Sequence, residues 1–236
     1  MKVTLTRVTE NPIQAIEEAA SNCYDSEPSS NGRIMNACYK SGHHSVLEFA
    51  DFTFHIEGVS RALLAQLTRH RVASFAVRSQ RYCNEDGFGY VVPHTIENNS
   101  SAQVEYKKAI NRIKETYEYL QEMGIPNEDA RFILPNACET VIEVKMNGRE
   151  LIHAMNERLC TRAQWEIREL FLAMKKCVQE YNEECEVFSK FLVPKCCAHA
   201  PMNFCTEHKS CGIAPTLKEV YQAYLDSKTK DGDTNE

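Results

Sequence analysis

The chain has 236 residues, 43% of them hydrophobic and 25% charged, the composition of a folded globular protein rather than a disordered one. Its 27 Lys and Arg against 33 Asp and Glu give a formal charge of −6, which excludes a protein that coats nucleic acid by charge alone. No run approaches the ~20 apolar residues needed to cross a bilayer, and the alternating start, Met1 to Arg7, carries no signal-peptide apolar stretch.

Residues 2–9 read as an opening strand. Asn11-Pro12 then starts a helix with Ile13, Ile16 and Ala20 on one stripe. The polar segment from Asp25 to Gly32 is a loop, and residues 33–41 form a short helix stopped by Gly42. Phe52, Phe54 and Ile56 alternate with Asp51, Thr53, His55 and Glu57, a half-buried strand ending at Gly58. The period then lengthens to that of a helix over 59–71, with Val59, Ala62, Leu63 and Leu67 on one stripe. A longer helix at 101–123 is closed by Gly124, and a brief one after Pro126 carries Ala130 and Arg131. Residues 139–146 alternate again, followed by helices at 149–159 and 163–182. Strands and helices do not alternate in regular βαβ units, so the expected architecture is one α+β domain over residues 1–226. A polar tail, 227–236, is expected to fray.

The 11 cysteines are an odd number in a chain without an export signal, and six of them follow residue 176. That usage fits reduced thiols in the cytoplasm. The Cys-rich segment 195–212, with Cys196, Cys197, Cys205 and Cys211, could be drawn with His208 as a zinc site. It lacks paired C-x-x-C knuckles, and no metal is expected.

Polar residues in apolar positions carry the functional signal. Gln66 and His70 continue the aliphatic stripe of the 59–71 helix. Buried polar groups need partners. Arg69, Arg71, Arg78 and Arg81 fall within 13 residues, with no Asp or Glu between 58 and 84 to neutralise them. Ser74, Ser79 and Gln80 add neutral hydrogen-bonding groups. Guanidinium forks match phosphate, although ion pairs with distant carboxylates would also satisfy them. A second cluster comprises Asn147, Arg149, His153, Asn156, Arg158, Arg162 and Gln164. There Arg149, His153 and Asn156 share a helix face opposite Leu151, Ile152, Met155 and Leu159. Neither a G-x-G-x-x-G nor a P-loop is present among only 9 glycines, so side chains must hold any phosphate.

Arg69-His70-Arg71, followed after seven residues by Ser79, resembles the signature of the flavin-dependent thymidylate synthases. Gly42-His43-His44-Ser45-Val46-Leu47-Glu48, Ala130-Arg131-Phe132-Ile133-Leu134-Pro135, Asn147-Gly148-Arg149 and Arg158 through Ile167 are similar to further family blocks, in the same order. The resemblance implies an α+β fold with an antiparallel or mixed sheet and long helices. It implies reductive methylation of deoxyuridine monophosphate (dUMP) to thymidylate. 5,10-Methylenetetrahydrofolate would be the one-carbon donor, reduced FAD the hydride source and NADPH its reductant. The implied assembly is a cytoplasmic homotetramer with sites at subunit interfaces, and no nucleic-acid or membrane partner.

By the same resemblance, Gln66, Arg69, Ser79, Gln80, Arg81 and Arg131 match nucleotide-holding positions. Arg158 matches the arginine that pairs with the uracil ring. Ser45, Arg69, His70, Arg71, Asn147, Arg149 and His153 match flavin contacts, and His43 matches a residue near the flavin ring and the folate. The chain departs from the family pattern at Ala76-Val77, where Asn-Glu is frequent, and at His153, where Asn is common. A non-catalytic nucleotide-binding or regulatory protein would use the same cation clusters without turnover, and a zinc-stabilised interaction module would use the Cys-rich tail.

Overall fold

The computed structural model describes residues 1–29, 31–198 and 202–232. In chain order its elements are β1 (Lys2–Val8), α1 (Pro12–Tyr24), α2 (Arg33–Lys40), a 3-10 turn at His44–Phe49, β2 (Asp51–Ser60), α3 (Arg61–Leu67) and β3 (Ser74–Val77). There follow α4 (His94–Glu97), α5 (Ser100–Glu122), α6 (Asn127–Ala130), β4 (Glu139–Asn147), α7 (Gly148–Arg158), α8 (Trp165–Gln179), α9 (Glu183–Ser189) and α10 (Leu217–Gly232). This is the expected α+β class. Close packing gathers the chain into two units, one from Met1–Arg7 and Thr53–Lys145, the other from Val8–Phe52 and Met146–Glu236.

The first unit is built on a four-stranded sheet in the order β1-β2-β4-β3. The alternation read in the sequence sets its buried face: Phe54 and Ile56 of β2 and Ile142 and Val144 of β4 are fully enclosed. β3 pairs antiparallel with β4, Ser74 opposite Lys145 and Val77 opposite Ile142. This strand was not expected. It also shortens the helix expected over 59–71, which starts at Arg61 and ends at Leu67. The Thr68 hydroxyl donates to the Leu64 carbonyl (3.0 Å), and the His70 N–H reaches the Leu67 carbonyl (3.1 Å), so the chain turns sharply before β3. His70 therefore lies in a turn rather than on a helix, yet it is still buried. Phe88, Ile110 and Cys138 form a satellite core, with Tyr90, Tyr106, Ile113 and Leu134 packed against it.

In the second unit, α1, α7, α8 and α9 enclose Ile16, Met35, Leu47, Phe52, Leu151, Met155, Phe171 and Phe188. Buried Glu17 on α1 accepts the backbone N–H groups of Ser29 (2.9 Å) and Met35 (2.8 Å). It thereby anchors the 25–32 loop and the start of α2, where Gly32 supplies a left-handed conformation (φ 72°). α9 was also not expected. Its Glu184 carboxylate accepts the Ile13 N–H (2.7 Å), serving the exposed donors at the start of α1. Helix α10 runs on as far as Gly232, so the first part of the tail expected to fray is helical, and residues 233–236 lie outside those described.

The chain is closely packed at the junction between β4 and α7. Gly148 donates its N–H to the Ala50 carbonyl (2.7 Å). A Cβ at 148 would stand 2.7 Å from the Leu47 carbonyl oxygen and 3.0 Å from the Phe188 ring. Gly148→Ala should therefore destabilise the protein by about 1–3 kcal/mol, the scale of overpacking; an unchanged chemical-denaturation midpoint would contradict this. One turn on, Glu150 is buried, and burial raises its carboxyl pKa, opposed only by nearby His153. The folded state then holds this proton more tightly than the unfolded chain, whose value is about 4.3. The associated stability is present below that pH and is lost as pH rises through the folded value. Glu150→Gln should consequently gain stability over the natural protein as pH goes from 4 to 8. Parallel denaturation curves at each pH would show it, and a pH-independent difference would refute the burial cause.

Candidate active site

The first unit gathers eight of the expected residues: Gln66 on α3, Arg69, His70 and Arg71 in the following turn, Ser79, Gln80 and Arg81 after β3, and Arg131 after α6. Arg81 and Arg131 meet at one residue. The Arg81 Nε and Nη2 atoms donate to a single Glu128 carboxylate oxygen (3.1 and 2.9 Å), while Arg131 Nε donates to the Glu128 backbone carbonyl (3.1 Å). The Arg81 backbone N–H also reaches Ser79 Oγ (3.3 Å), so Ser79, Arg81 and Arg131 form one cluster. Gln80 turns its amide toward buried Cys138, Nε2 to Sγ 3.7 Å. Burial and then Glu85 push that thiol up to about 11, so Cys138 stays protonated and is no nucleophile at neutral pH.

Carboxylates from outside the Arg-rich segment neutralise part of its charge. Arg78 pairs with Glu85 (3.1 Å) and Arg81 with Glu128 (2.9 Å). Arg69 and Arg71 are exposed and make no ion pair among the described residues.

One cation of this unit was missed. Arg61, the first residue of α3, donates from Nη2 to the Arg78 carbonyl (2.8 Å), and its buried Nε finds no acceptor among the described residues. Burial lowers its pKa, and the neighbouring Arg131 and Arg78 lower it further, against Cys138 and Glu85. A signal was available: a cation in a helix's first turn opposes the helix dipole and calls for another reason to be there.

The second unit holds the remaining six. His43 and Ser45 enter and begin the 3-10 turn and are exposed. The His43 N–H is tied to the Cys38 carbonyl (2.8 Å), whereas adjacent His44 is held by its ring: Nε2 donates to the Tyr39 carbonyl (3.0 Å), and the two rings stack at 5.2 Å. His43 is thus the histidine of the pair that the fold leaves outward. Asn147 caps α7, its Oδ1 accepting the Glu150 N–H (2.9 Å). Arg149 reaches Glu48 on the turn (2.7 Å). His153 follows on the exposed face of α7, opposite buried Leu151, Ile152, Met155 and Leu159, as the spacing predicts. Asn156, read as part of the same polar face, is bonded inward to the Ile152 and Val193 carbonyls (2.8 and 3.1 Å). Arg158 is half-buried in the last turn of α7, where the helix dipole favours a cation.

Both residue sets are rich in guanidinium and imidazole groups and amide or hydroxyl donors, a chemistry suited to phosphorylated ligands. The chain matches the family model described as thymidylate synthase complementing protein over residues 4–182. The flavin-dependent thymidylate synthase of Geobacter sulfurreducens is 43% identical over 191 residues, covering 76% of this chain and 82% of that protein. The enzyme of that name from Clostridium tetani is 35% identical over 252 residues, covering 94% and 97%. Among solved structures, thymidylate synthase X of Helicobacter pylori with FAD and dUMP superposes with a TM-score of 0.66 at 23% identity, over 81% of this chain and 99% of that one. A second structure of the Helicobacter pylori protein, complexed with FAD and dUMP, gives 0.60 at 26% identity, over 75% and 93%. The cation clusters fall in the region of the family match, and that match covers most of the sequence: this chain belongs to the flavin-dependent thymidylate synthases.

Proposed function

We propose that this protein makes thymidylate by reductive methylation of dUMP. The one-carbon unit comes from 5,10-methylenetetrahydrofolate, FAD supplies the hydride when reduced, and NADPH restores it. The observation that carries the reading is the pair of exposed guanidinium groups, Arg69 and Arg71, without ion-pair partners among the described residues, in a chain of this family. Two such unneutralised cations fit the diphosphate of FAD in the chemistry of their donors. Ser45, His70, Asn147, Arg149 and His153 complete the flavin-holding set.

Ser79, Arg81 and Arg131 hold the nucleotide phosphate, assisted by Gln66, Gln80 and Arg69. The Arg81–Glu128 pair is half exposed on both sides and is worth at most about 1 kcal/mol, so a phosphate displaces Glu128 at little cost. Arg158 faces the uracil ring and stabilises negative charge as it develops there, which makes C5 the nucleophile; preorganised cations of this kind lower barriers without reorganising. His43 sits by the flavin ring and orients the folate. No cysteine nucleophile is required.

The working assembly is a homotetramer with active sites where subunits meet. It acts in the cytoplasm, whose reductants return its thiols to the reduced state. Among the described residues no helix is long and apolar enough to cross a membrane.

Release of tritium from C5-labelled dUMP, dependent on both the folate and the flavin, tests the reaction; label retained under all conditions would end this reading. Arg158→Ala should keep flavin binding, followed by its yellow absorbance, and lose methyl transfer. A normally active variant would remove Arg158 from the mechanism. Arg81→Ala should weaken dUMP binding by about 1.5–3 kcal/mol, the scale of a charged hydrogen bond; an unchanged calorimetric affinity would place the phosphate elsewhere.

A further inference from the structure

The Cys-rich segment lies beyond the family match, and the proposed reaction uses none of it. Cys160, Cys196, Cys205 and Cys211 line one small cavity of about 70 Å3 in the second unit. Cys160 comes from the turn after α7, Cys196 from the 3-10 turn Lys195–Cys197, and the other two from the loop before α10. Their environments differ. Cys196 is crowded, its sulfur 3.9 Å from that of Cys197. Burial and the neighbouring sulfurs of Cys197, Cys205 and Cys160 push it up to about 11. Cys211 is exposed. Hydrogen bonds from the Thr161 side chain and the Ile213 backbone, with the positive field of Arg168, hold its thiol below the ordinary value. Cys160 directly precedes Thr161, so one short turn both steadies the Cys211 sulfur and presents a second thiol to the same cavity. Among the described residues, no three His, Cys, Asp or Glu side chains come together as a metal-binding group.

We propose that Cys211 is a peroxide-reactive thiol and that Cys160 resolves it, making the pair a reversible modification site. The thiolate is the reactive form of cysteine, and an accessible thiol of lowered pKa that shares a cavity with a second thiol is the arrangement of a redox-sensing cysteine. Cys211 Sγ attacks hydrogen peroxide: an S–O bond forms, the O–O bond breaks, and hydroxide leaves to take up a proton as water. Cys160 Sγ, losing its proton, then attacks the oxidised sulfur; an S–S bond forms, the S–O bond breaks and a second water departs. Two thiols are oxidised by one peroxide, which is reduced to two waters. The product ties the loop before α10 to the turn two residues beyond Arg158, and a thiol reductant reverses it.

The test uses the full-length protein, reduced, freed of reductant, treated with one equivalent of hydrogen peroxide, blocked with N-ethylmaleimide and digested with trypsin. Trypsin separates Cys160 (peptide 159–162) from Cys211 (210–218) and from Cys196, Cys197 and Cys205 together (196–209). The expected result is a 159–162/210–218 cross-linked peptide, lighter than its parts by two hydrogens and lost on reduction. In Cys160→Ser, Cys211 should instead be trapped by dimedone as a sulfenic acid; in Cys211→Ser, Cys160 should remain alkylatable. Should either variant fail to fold, the map of the natural protein decides alone. Cys211 recovered unoxidised, a disulfide confined to 196–209, or stoichiometric zinc on these thiols in native mass spectrometry overturns the proposal.

Discussion

One missing side chain sets the geometry of the second unit. The backbone of Gly148 approaches the Leu47 carbonyl and the Phe188 ring closely enough that a methyl group has no room, and its N–H is spent on Ala50. That contact seats the start of α7 against the 3-10 turn at His44–Phe49. His43 and Ser45 on the turn, and Asn147, Arg149, His153 and Arg158 along α7, are thereby held on one rigid pairing of elements. The Arg149–Glu48 ion pair joins the same two elements. At roughly half exposure on each side it contributes little stability; the interlocked backbone does the positioning.

Electrostatics in the first unit follow a graded pattern. Arg78 is bound to Glu85, whose carboxylate is nearly enclosed, and this pair is structural. Arg81 is bound to an exposed Glu128, a contact weak enough to exchange for a better anion. Arg69 and Arg71 have no carboxylate partner among the described residues. From Arg78 through Arg81 to Arg69 and Arg71, progressively more guanidinium charge remains available to a ligand. Arg61 holds the backbone carbonyl of Arg78, the one that precedes Ser79.

The segment past residue 182 lies outside the family match, yet the fold depends on it. Phe188 closes the core against Phe52, their rings 4.8 Å apart, and Glu184 serves the first turn of α1. Burying one such aromatic contributes about 1.5–3 kcal/mol, a large share of the net stability of a typical domain. The thiols that follow are therefore attached to a structural element rather than to a dispensable tail.

Periodicity in the sequence by itself determined most elements. β2 and β4 follow from alternation, and α1, α5, α7 and α8 from stripes at helical spacing, because burial of one face needs only local order in the chain. The residue types of the site were legible in the same way, as cations with no nearby acids. Their state was not. Whether Arg81 or Arg149 is paired depends on carboxylates 47 and 101 residues away, and no local pattern encodes such distances. The tertiary structure also decided the end of α3: its apolar stripe runs on through His70 in the sequence, but the chain must turn at 68–73 for Ser74 to meet Lys145 on β4. Four residues are too few for β3 to announce itself by alternation, and it exists because a neighbouring strand offers its unpaired backbone groups.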